Sequence, residues 1–434
     1  MKIAFHTLGC KVNQYETEAL KEQFSARGYQ VVDEKEYADV YVINTCTVTS
    51  LADRKSRQYI RRMKKVNPES LIAVTGCYAQ ISPEEVASIP EVDLVAGTNE
   101  KGNLVRYVEE KLGSREGSAV HVLNYDQLTE YEETGVITSM DSKTRAFIKI
   151  QEGCNRFCSY CIIPYARGPV RSRGLEEILE EAKNLIEKGF KELVLTGINT
   201  ALYGMEKDET SGVELIVRRL NELPGDFRIR LSSLEPTVVN KEYVRRLFAY
   251  DKLCHHLHLS AQSGSNQILS AMNRNYTREE YLDIVRMLRE FDLHYGISTD
   301  IIAGFPGETE EDFADSLDLI EKAGFCRVHA FGYSRRQGTK AWEMDGQVAS
   351  EVKNQRTSRL IEEGNRAAQE FFQGMTGEER VVLTEEKDGS CLAGYTDNYV
   401  KAYVEGVGED QLNKFLRVRV ITPYKDGVKC SVIS

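Results

Sequence analysis

No apolar run in the 434-residue sequence approaches the roughly 20 residues that a helix needs to cross a bilayer, so no membrane-spanning helix and no membrane partner are expected. Proline is scarce, at nine residues, and the 32 glycines are scattered, which excludes a collagen-like or linker-dominated chain. Internal repeats and low-complexity tracts are absent. The opening Met1-Lys2-Ile3-Ala4-Phe5-His6 is apolar only briefly, so a secretory signal is not expected and the anticipated location is cytoplasmic. Positive charge is also short: 56 Lys and Arg stand against 67 Asp and Glu, a net charge of −11. That balance excludes a protein that coats nucleic acid by bulk electrostatics, but it leaves room for a local basic footprint.

What is present reads as a folded α/β chain of three domains. Charged residues make up 28% and the hydrophobic set 41%, ordinary for a globular protein of this length. Over residues 1–113, strand-like runs (Lys2–His6, Val40–Ile43, Leu71–Val74) alternate with helical stretches, which predicts a doubly wound parallel sheet. The first helix is expected from Asn13 to Arg27, with Asn13 as N-cap, Glu16 closing a capping box and Gly28 at the C-cap. Residues 114–143, rich in small residues and then acidic from Asp126 to Glu133, read as a linker. Over 144–372 six strand-like runs recur with helices between them: Phe147–Ile150, Glu192–Leu195, Arg228–Leu231, His256–Leu259, Ile297–Ile302 and Val328–Tyr333. Six βα units in a row predict a (βα)6 partial barrel. Over 373–434 five short runs (Val381–Thr384, Cys391–Tyr395, Val400–Val404, Leu416–Ile421, Val428–Val432) predict a small antiparallel β-barrel.

Ten cysteines in a reducing compartment are better read as metal ligands or redox groups than as disulfides. Cys154, Cys158 and Cys161 form C-x3-C-x2-C directly after a predicted strand. Three thiolates on one tight loop can hold three irons of a 4Fe–4S cluster and leave the fourth iron open to a small molecule. A zinc knuckle is the alternative, but it closes with four ligands and no fourth Cys or His lies nearby. Cys10, Cys46 and Cys77 each follow the end of a predicted strand, and parallel strands bring their carboxyl ends to one edge, where such folds bind ligands. These three are expected to converge and to hold a second open cluster; buried inert thiols are the alternative. Cys254, Cys326, Cys391 and Cys430 show no such relation.

The stretch Gly153-Cys154-Asn155-Arg156-Phe157-Cys158-Ser159-Tyr160-Cys161 resembles the signature of radical S-adenosylmethionine (SAM) enzymes. In that superfamily SAM chelates the open iron, and one electron from the cluster splits it to a 5′-deoxyadenosyl radical. The resemblance implies SAM contacts from Tyr160, from Gln262 and Ser263 in His258–Ser265, from Arg274, and from Asp300 and Gly304 in Ser298–Thr309. With the second cysteine trio and the terminal barrel, the whole chain resembles the radical SAM methylthiotransferases, whose C-terminal barrel is a TRAM domain that grips RNA. Leu8-Gly9-Cys10-Lys11-Val12-Asn13-Gln14-Tyr15-Glu16-Thr17, with Ser232-Ser233-Leu234-Glu235-Pro236, is most similar to the branch acting on N6-threonylcarbamoyladenosine (t6A) in tRNA. Asn266, Arg336 and Gln337 depart from the family pattern. Two 4Fe–4S clusters and SAM are the implied cofactors. The implied partners are the tRNA anticodon stem-loop and an electron donor such as flavodoxin or ferredoxin. The implied reaction is methylthiolation of C2 of t6A, a transferase activity in tRNA processing in which SAM serves as methyl donor and radical source.

For RNA, Arg54–Lys65 carries seven basic residues and no acid. On a helix Arg54, Arg57, Arg61 and Lys65 share one face, opposite Ala52, Tyr59, Met63 and Val66. A solvated charged face is the plain alternative. The terminal barrel offers Tyr395, Tyr399, Tyr403 and Phe415 for base stacking and Arg417 and Arg419 for phosphates, although its net charge from residue 373 onward is −2. Arg167, Arg171 and Arg173 are further candidates for phosphates or for the threonyl carboxylate of t6A. Competing functions are methylthiolation of isopentenyladenosine or of a ribosomal-protein aspartate and, from another class, a redox-sensing RNA-binding iron–sulfur protein.

Overall fold

The computed structural model describes residues 1–114, 117–135, 137, 144–207 and 212–433; the remainder of the expected linker, including residues 115–116 and 138–143, lies outside them. The first unit is a six-stranded parallel sheet of β1 (Lys2–Thr7), β2 (Gln30–Val32), β3 (Val40–Thr45), β4 (Leu71–Gly76), β5 (Leu94–Ala96) and β6 (Ala119–His121). Its order is β2-β1-β3-β4-β5-β6, so the winding reverses between β1 and β3, where such sheets open a ligand crevice. β3 and β4 are buried along their whole length because helices cover both faces. Phe5, Leu20, Phe24 and Tyr107 pack on one face; Tyr41, Ile60, Met63 and Tyr78 pack on the other. β6 comes from the stretch expected to be linker: its short Ala-Val-His run pairs with β5 and extends the sheet edge.

Helix α1 spans Lys11–Ala26 and is capped by Cys10, not Asn13. Asn13 and Glu16 lie inside it and are 1% exposed. The spacing that reads as a capping box is used for tertiary contacts instead.

The second unit is an open partial barrel of parallel strands. β7 (Arg145–Lys149) is followed by a small antiparallel pair, β8 (Gln151–Glu152) with β9 (Arg171–Ser172), which braces the cysteine loop between them. The wall continues through β10 (Glu192–Thr196), β11 (Arg228–Leu231), β12 (Ser233–Leu234), β13 (His256–Leu259), β14 (Gly296–Ala303) and β15 (Arg327–Gly332). β7, β10 and β11 form one sheet and β12 to β15 the other. In register, Glu192 pairs with Arg145 and Arg228, Ser298 with Arg327, and Asp300 with His329. Residues paired this way on parallel strands point to the same side, so the lumen is lined by charge. Glu192 is fully buried between Arg228 Nε (2.6 Å) and Arg230 Nη2 (2.9 Å). Burial alone would raise its carboxyl; Arg230 and Arg228 hold it far below the usual range.

A 25-residue helix, Ser350–Gly374, leads to a closed barrel of β16 (Glu379–Asp388), β17 (Cys391–Thr396), β18 (Lys401–Glu405), β19 (Phe415–Tyr424) and β20 (Gly427–Val432), in the order β16-β17-β18-β20-β19. Four pairs are antiparallel and β18–β20 is parallel. A closed ring of five strands cannot alternate direction all the way round, which is why the expected fully antiparallel barrel carries one parallel seam. This barrel seals the amino-terminal end of the central one. Arg228 Nη2 donates to Tyr395 O (3.0 Å), Arg230 Nη1 to Asp397 O (3.1 Å) and Asn398 Nδ2 to His294 O (2.8 Å).

Replacing Glu192 by Ala leaves two buried guanidinium groups without their anion and loosens the terminal barrel. A loss of about 3–5 kcal/mol is expected, measured by urea unfolding at neutral pH. The wild-type contribution is present above the ordinary carboxyl range and is lost as pH falls below about 4. The gap between wild type and variant therefore narrows in acid.

Candidate metal and cofactor centre

The first trio of thiols sits where the sheet reverses. Cys10, Cys46 and Cys77 follow β1, β3 and β4. Gly9 makes their approach possible: its φ is +107°, and a Cβ there would lie 2.9 Å from Cys46 Cβ and 3.1 Å from its Sγ. Burial pushes the Cys46 thiol up to about 12, with Cys77 and Cys10 adding to the rise. Burial also raises Cys77, against the pull of Arg167.

The second trio lies on the loop between β8 and β9. The turn is closed by Cys161 N donating to Cys158 O (2.9 Å), and the loop is pinned to the barrel by Ser159 N donating to Met272 O (3.0 Å). Burial pushes Cys161 up to about 12, with Cys158 and Cys154 contributing, and it raises Cys154 as well. Among the described residues, no three His, Cys, Asp or Glu side chains close around a single metal ion. Thiols spaced this way suit a cluster, which takes one thiolate per iron. Because burial favours the protonated form of Cys46, Cys77, Cys154 and Cys161, loading a metal on them must release protons.

One side chain reaches from the loop of the second trio to the first. Arg167 ends the short helix Ile163–Arg167, six residues after Cys161, and has no solvent exposure. Its Nε donates to Cys77 Sγ (3.2 Å), Nη1 to Glu16 (2.5 Å) and Glu152 (3.1 Å), and Nη2 to Asn13 Oδ1 (2.5 Å). Glu16 also meets Lys149 (2.9 Å) and Lys101 (3.2 Å). Burial would raise Glu16, but Arg167, Lys101 and Lys149 hold its carboxyl well below the usual range. A second strap comes from Arg336, which donates to Asp53 (2.6 Å) and Thr47 (2.6 Å) and so ties the Cys46 loop to the segment after β15.

The residues expected around SAM separate into two groups. Arg274 lies against the cysteine loop, with Nη1 3.4 Å from Cys158 Sγ, and is held by Tyr276 Oη and Ser260 O. Asp300 accepts from Ser260 Oγ (2.9 Å) and faces His258 Nε2 (3.1 Å) in the lumen. Gln262, at φ +67°, links to Asp300 and Ile302 by backbone bonds. Tyr160 packs beside Met272, Phe305 and Tyr333. Ser263 is turned away: its hydroxyl is buried, accepts from Ser265 N (3.1 Å) and lies 3.5 Å from Ser316 Oγ. Gly304 provides clearance, since a Cβ there would meet Lys353 Cγ at 2.2 Å.

Three groups of expected RNA contacts are corrected. Arg167, Arg171 and Arg173 are buried and committed: Arg171 donates to Leu128 O and Arg167 O, and Arg173 is bound by Glu133 and Glu181. Tyr395, Tyr399 and Phe415 carry the arginines of the central barrel, Arg145, Arg230 and Arg228, at 4.8, 4.6 and 5.6 Å from their ring centres. Tyr403 is buried and donates to Asp426. On helix α2 (Ser50–Val66), Arg54, Arg61 and Lys65 are exposed, but Arg57 is held by Tyr78 Oη (2.8 Å) and Glu85 (3.1 Å). The buried side of α2 is Asp53, Ser56, Ile60 and Met63; Tyr59 instead stacks on His6. Arg417 and Arg419 are exposed and share Glu379 (3.2 and 2.8 Å). No helix among the described residues is long and apolar enough to cross a membrane.

Two family models match the chain: "Radical SAM superfamily" over residues 148–320 and "Uncharacterized protein family UPF0004" over residues 2–97. The threonylcarbamoyladenosine tRNA methylthiotransferase MtaB of Bacillus subtilis (strain 168) is 42% identical over 98% of this chain and 95% of that protein. The protein of the same name from Aquifex aeolicus (strain VF5) is 41% identical over 97% and 100%. A tRNA-2-methylthio-N(6)-dimethylallyladenosine synthase of Alkaliphilus oremlandii (strain OhILAs) is 37% identical over 97% and 90%. Among solved structures, the radical S-adenosylmethionine methyltransferase TsrM from Kitasatospora setae, with cobalamin and a 4Fe–4S cluster bound, shares the fold at a TM-score of 0.58. It is 17% identical, over 78% of this chain and 76% of that one.

Exchanging Arg167 for Gln leaves Glu16 and Glu152 facing each other with only Lys101 and Lys149 as counter-charges. A loss of about 3 kcal/mol or more is expected in urea unfolding. Arg167→Lys should fail to restore it, because an ammonium cannot reproduce the planar fork of donors.

Proposed function

The chain belongs to the threonylcarbamoyladenosine tRNA methylthiotransferases of the radical SAM superfamily, and from that premise we propose that it converts t6A next to the anticodon of tRNA to its 2-methylthio derivative. The observation that carries the reading is the pair of cysteine trios, one on each unit, with Arg167 from the loop of the second trio donating to Cys77 of the first. In this proposal Cys154, Cys158 and Cys161 hold one 4Fe–4S cluster, and Cys10, Cys46 and Cys77 hold the other. When bound, the clusters and SAM supply the radical that activates C2 of the adenine and the methylated sulfur that it receives.

The chain's own residues do the holding. Arg274, beside Cys158, offers a fixed cation for the carboxylate of SAM. Asp300, anchored by Ser260 and His258, offers an acceptor inside the lumen. Arg167 keeps Cys77 in place and donates to its sulfur, which stabilises the thiolate form. Arg54, Arg61 and Lys65 on α2 supply the exposed cations for the anticodon stem-loop. Flavodoxin or ferredoxin serves as reductant, in the cytoplasm.

After anaerobic reconstitution the full chain is expected to hold about eight irons. Each triple Cys→Ala set should halve that number. The set lacking Cys10, Cys46 and Cys77 should still cleave SAM to 5′-deoxyadenosine with dithionite, yet give no methylthiolated nucleoside. Normal product from it, quantified by mass spectrometry on a t6A stem-loop, would refute the assignment of that trio.

The basic face is tested separately. Arg54→Glu with Arg61→Glu should weaken stem-loop binding and lower the slope of log affinity against log salt by about one for each phosphate that is no longer neutralised. An unchanged slope would return α2 to a solvated charged face.

A further inference from the structure

The lumen of the central barrel is layered, polar within and apolar at its rim. Residues two apart on a strand point to the same side, and parallel register aligns them with their neighbours. Asp300 of β14 and His329 of β15 form one level; Ile302 and Phe331 form the next, nearer the carboxyl ends of the two strands. His258 marks this side as the lumen, because its Nε2 lies 3.1 Å from Asp300 and its ring centre 6.0 Å from that of His329. The alternate residues of β15 face outward. Val328 and Ala330 pack against the core, and a Cβ on Gly364 of the Ser350–Gly374 helix would lie 2.7 Å from Val328 Cβ.

Phe331 is therefore a large apolar ring on the lumen side of the strand, and it is 48% exposed. Among the described residues, no aromatic ring or cation stacks on it. Other candidate stacking rings are occupied: Tyr395, Tyr399 and Phe415 carry arginines, and the exposed Phe157 and Tyr165 meet edge to face at 5.7 Å. On one side of Phe331, its register partner Ile302 packs in the same cluster as Tyr160 of the second cysteine loop. On the other side, the chain reaches the first unit within three residues, where Ser50 N donates to Ser334 Oγ (3.1 Å) ahead of the Arg336 strap to Thr47 and Asp53. The apolar layer thus runs from one cysteine loop toward the edge that carries the other trio. A base that must meet both sites has to leave its stack in the RNA, and an extruded base is held by aromatic or apolar faces.

We propose that Phe331 is the stacking face for the adenine that is methylthiolated, with Ile302 extending the same apolar layer; this rests on the substrate reading above. The adenine of SAM shares that chemistry. Position favours the substrate base. Arg274 and Asp300, assigned to SAM, lie between β13 and β14 and on β14, whereas Phe331 is on the last strand, which leads to the Cys46 loop.

The test is fluorescence anisotropy with the cluster-loaded full chain and two labelled anticodon stem-loops, one carrying t6A and one abasic at that nucleotide. Phe331→Leu keeps an apolar side chain and removes the aromatic face. It should weaken binding of the t6A loop about tenfold and leave the abasic loop as in wild type. Phe331→Tyr should restore the t6A loop. Affinity for SAM without RNA, measured by equilibrium dialysis, should match wild type in both variants. Equal weakening on the two loops, or no change on either, would overturn the assignment. A loss confined to SAM would give the face to the adenine of the cofactor and overturn it as well. A wild type that methylthiolates an isopentenyladenosine loop and leaves the t6A loop unchanged would overturn the substrate reading alone, and Phe331→Leu on that loop would then decide the stacking face.

Discussion

A guanidinium that water cannot reach must be surrounded by anions and acceptors, and that requirement at Arg167 organises the centre of this protein. Its partners come from three places: Asn13 and Glu16 on α1, Cys77 after β4, and Glu152 on β8. Satisfying one side chain therefore fixes the sheet edge against the cysteine loop of the barrel. Lys101 and Lys149 complete the neutralisation of the two glutamates. The geometry between the two thiol trios follows from this packing, because each trio is within a few residues of a member of the network. Replacing a charge here alters the distance between two chemical centres as well as the stability of either unit.

Features set by local spacing were legible in the sequence. The C-x3-C-x2-C loop and the cysteines at three strand ends needed only the positions of the strands, and hydrophobic runs reveal those. What stayed hidden was pairing across long separations. Asn13 and Glu16 have the spacing of a capping box, and the same spacing places two polar groups on one face of a buried helix. Arg167, Arg171 and Arg173 look like a phosphate clamp because a sequence displays their charge and hides Glu16, Glu133, Glu152 and Glu181. Arg336, a departure from the family pattern, has a plain role once Asp53 and Thr47 are seen beside it.

The terminal barrel illustrates how one set of side chains can be read in two ways. Aromatics that suggest base stacking instead receive arginines from the floor of the central barrel, and Tyr395 and Tyr399 stack on each other (5.0 Å). Cation–π contacts and backbone hydrogen bonds from the same arginines make this joint directional. The terminal barrel is thus a wall of the lumen. Any RNA it contacts is held in a fixed relation to the chemistry.

The Arg167–Glu16 contact spans 151 residues of chain, and this sets an order on how the protein is made. A ribosome adding about 5–20 residues per second needs roughly eight to thirty seconds to travel from Glu16 to Arg167. Through that interval α1 carries a carboxylate destined for a dry interior with only Lys101 emerging as a partner from its own unit. The N-terminal sheet can form its strands early, but its cysteine-bearing edge waits for the second unit to close over it. Closure of that edge therefore follows synthesis of the central cysteine loop.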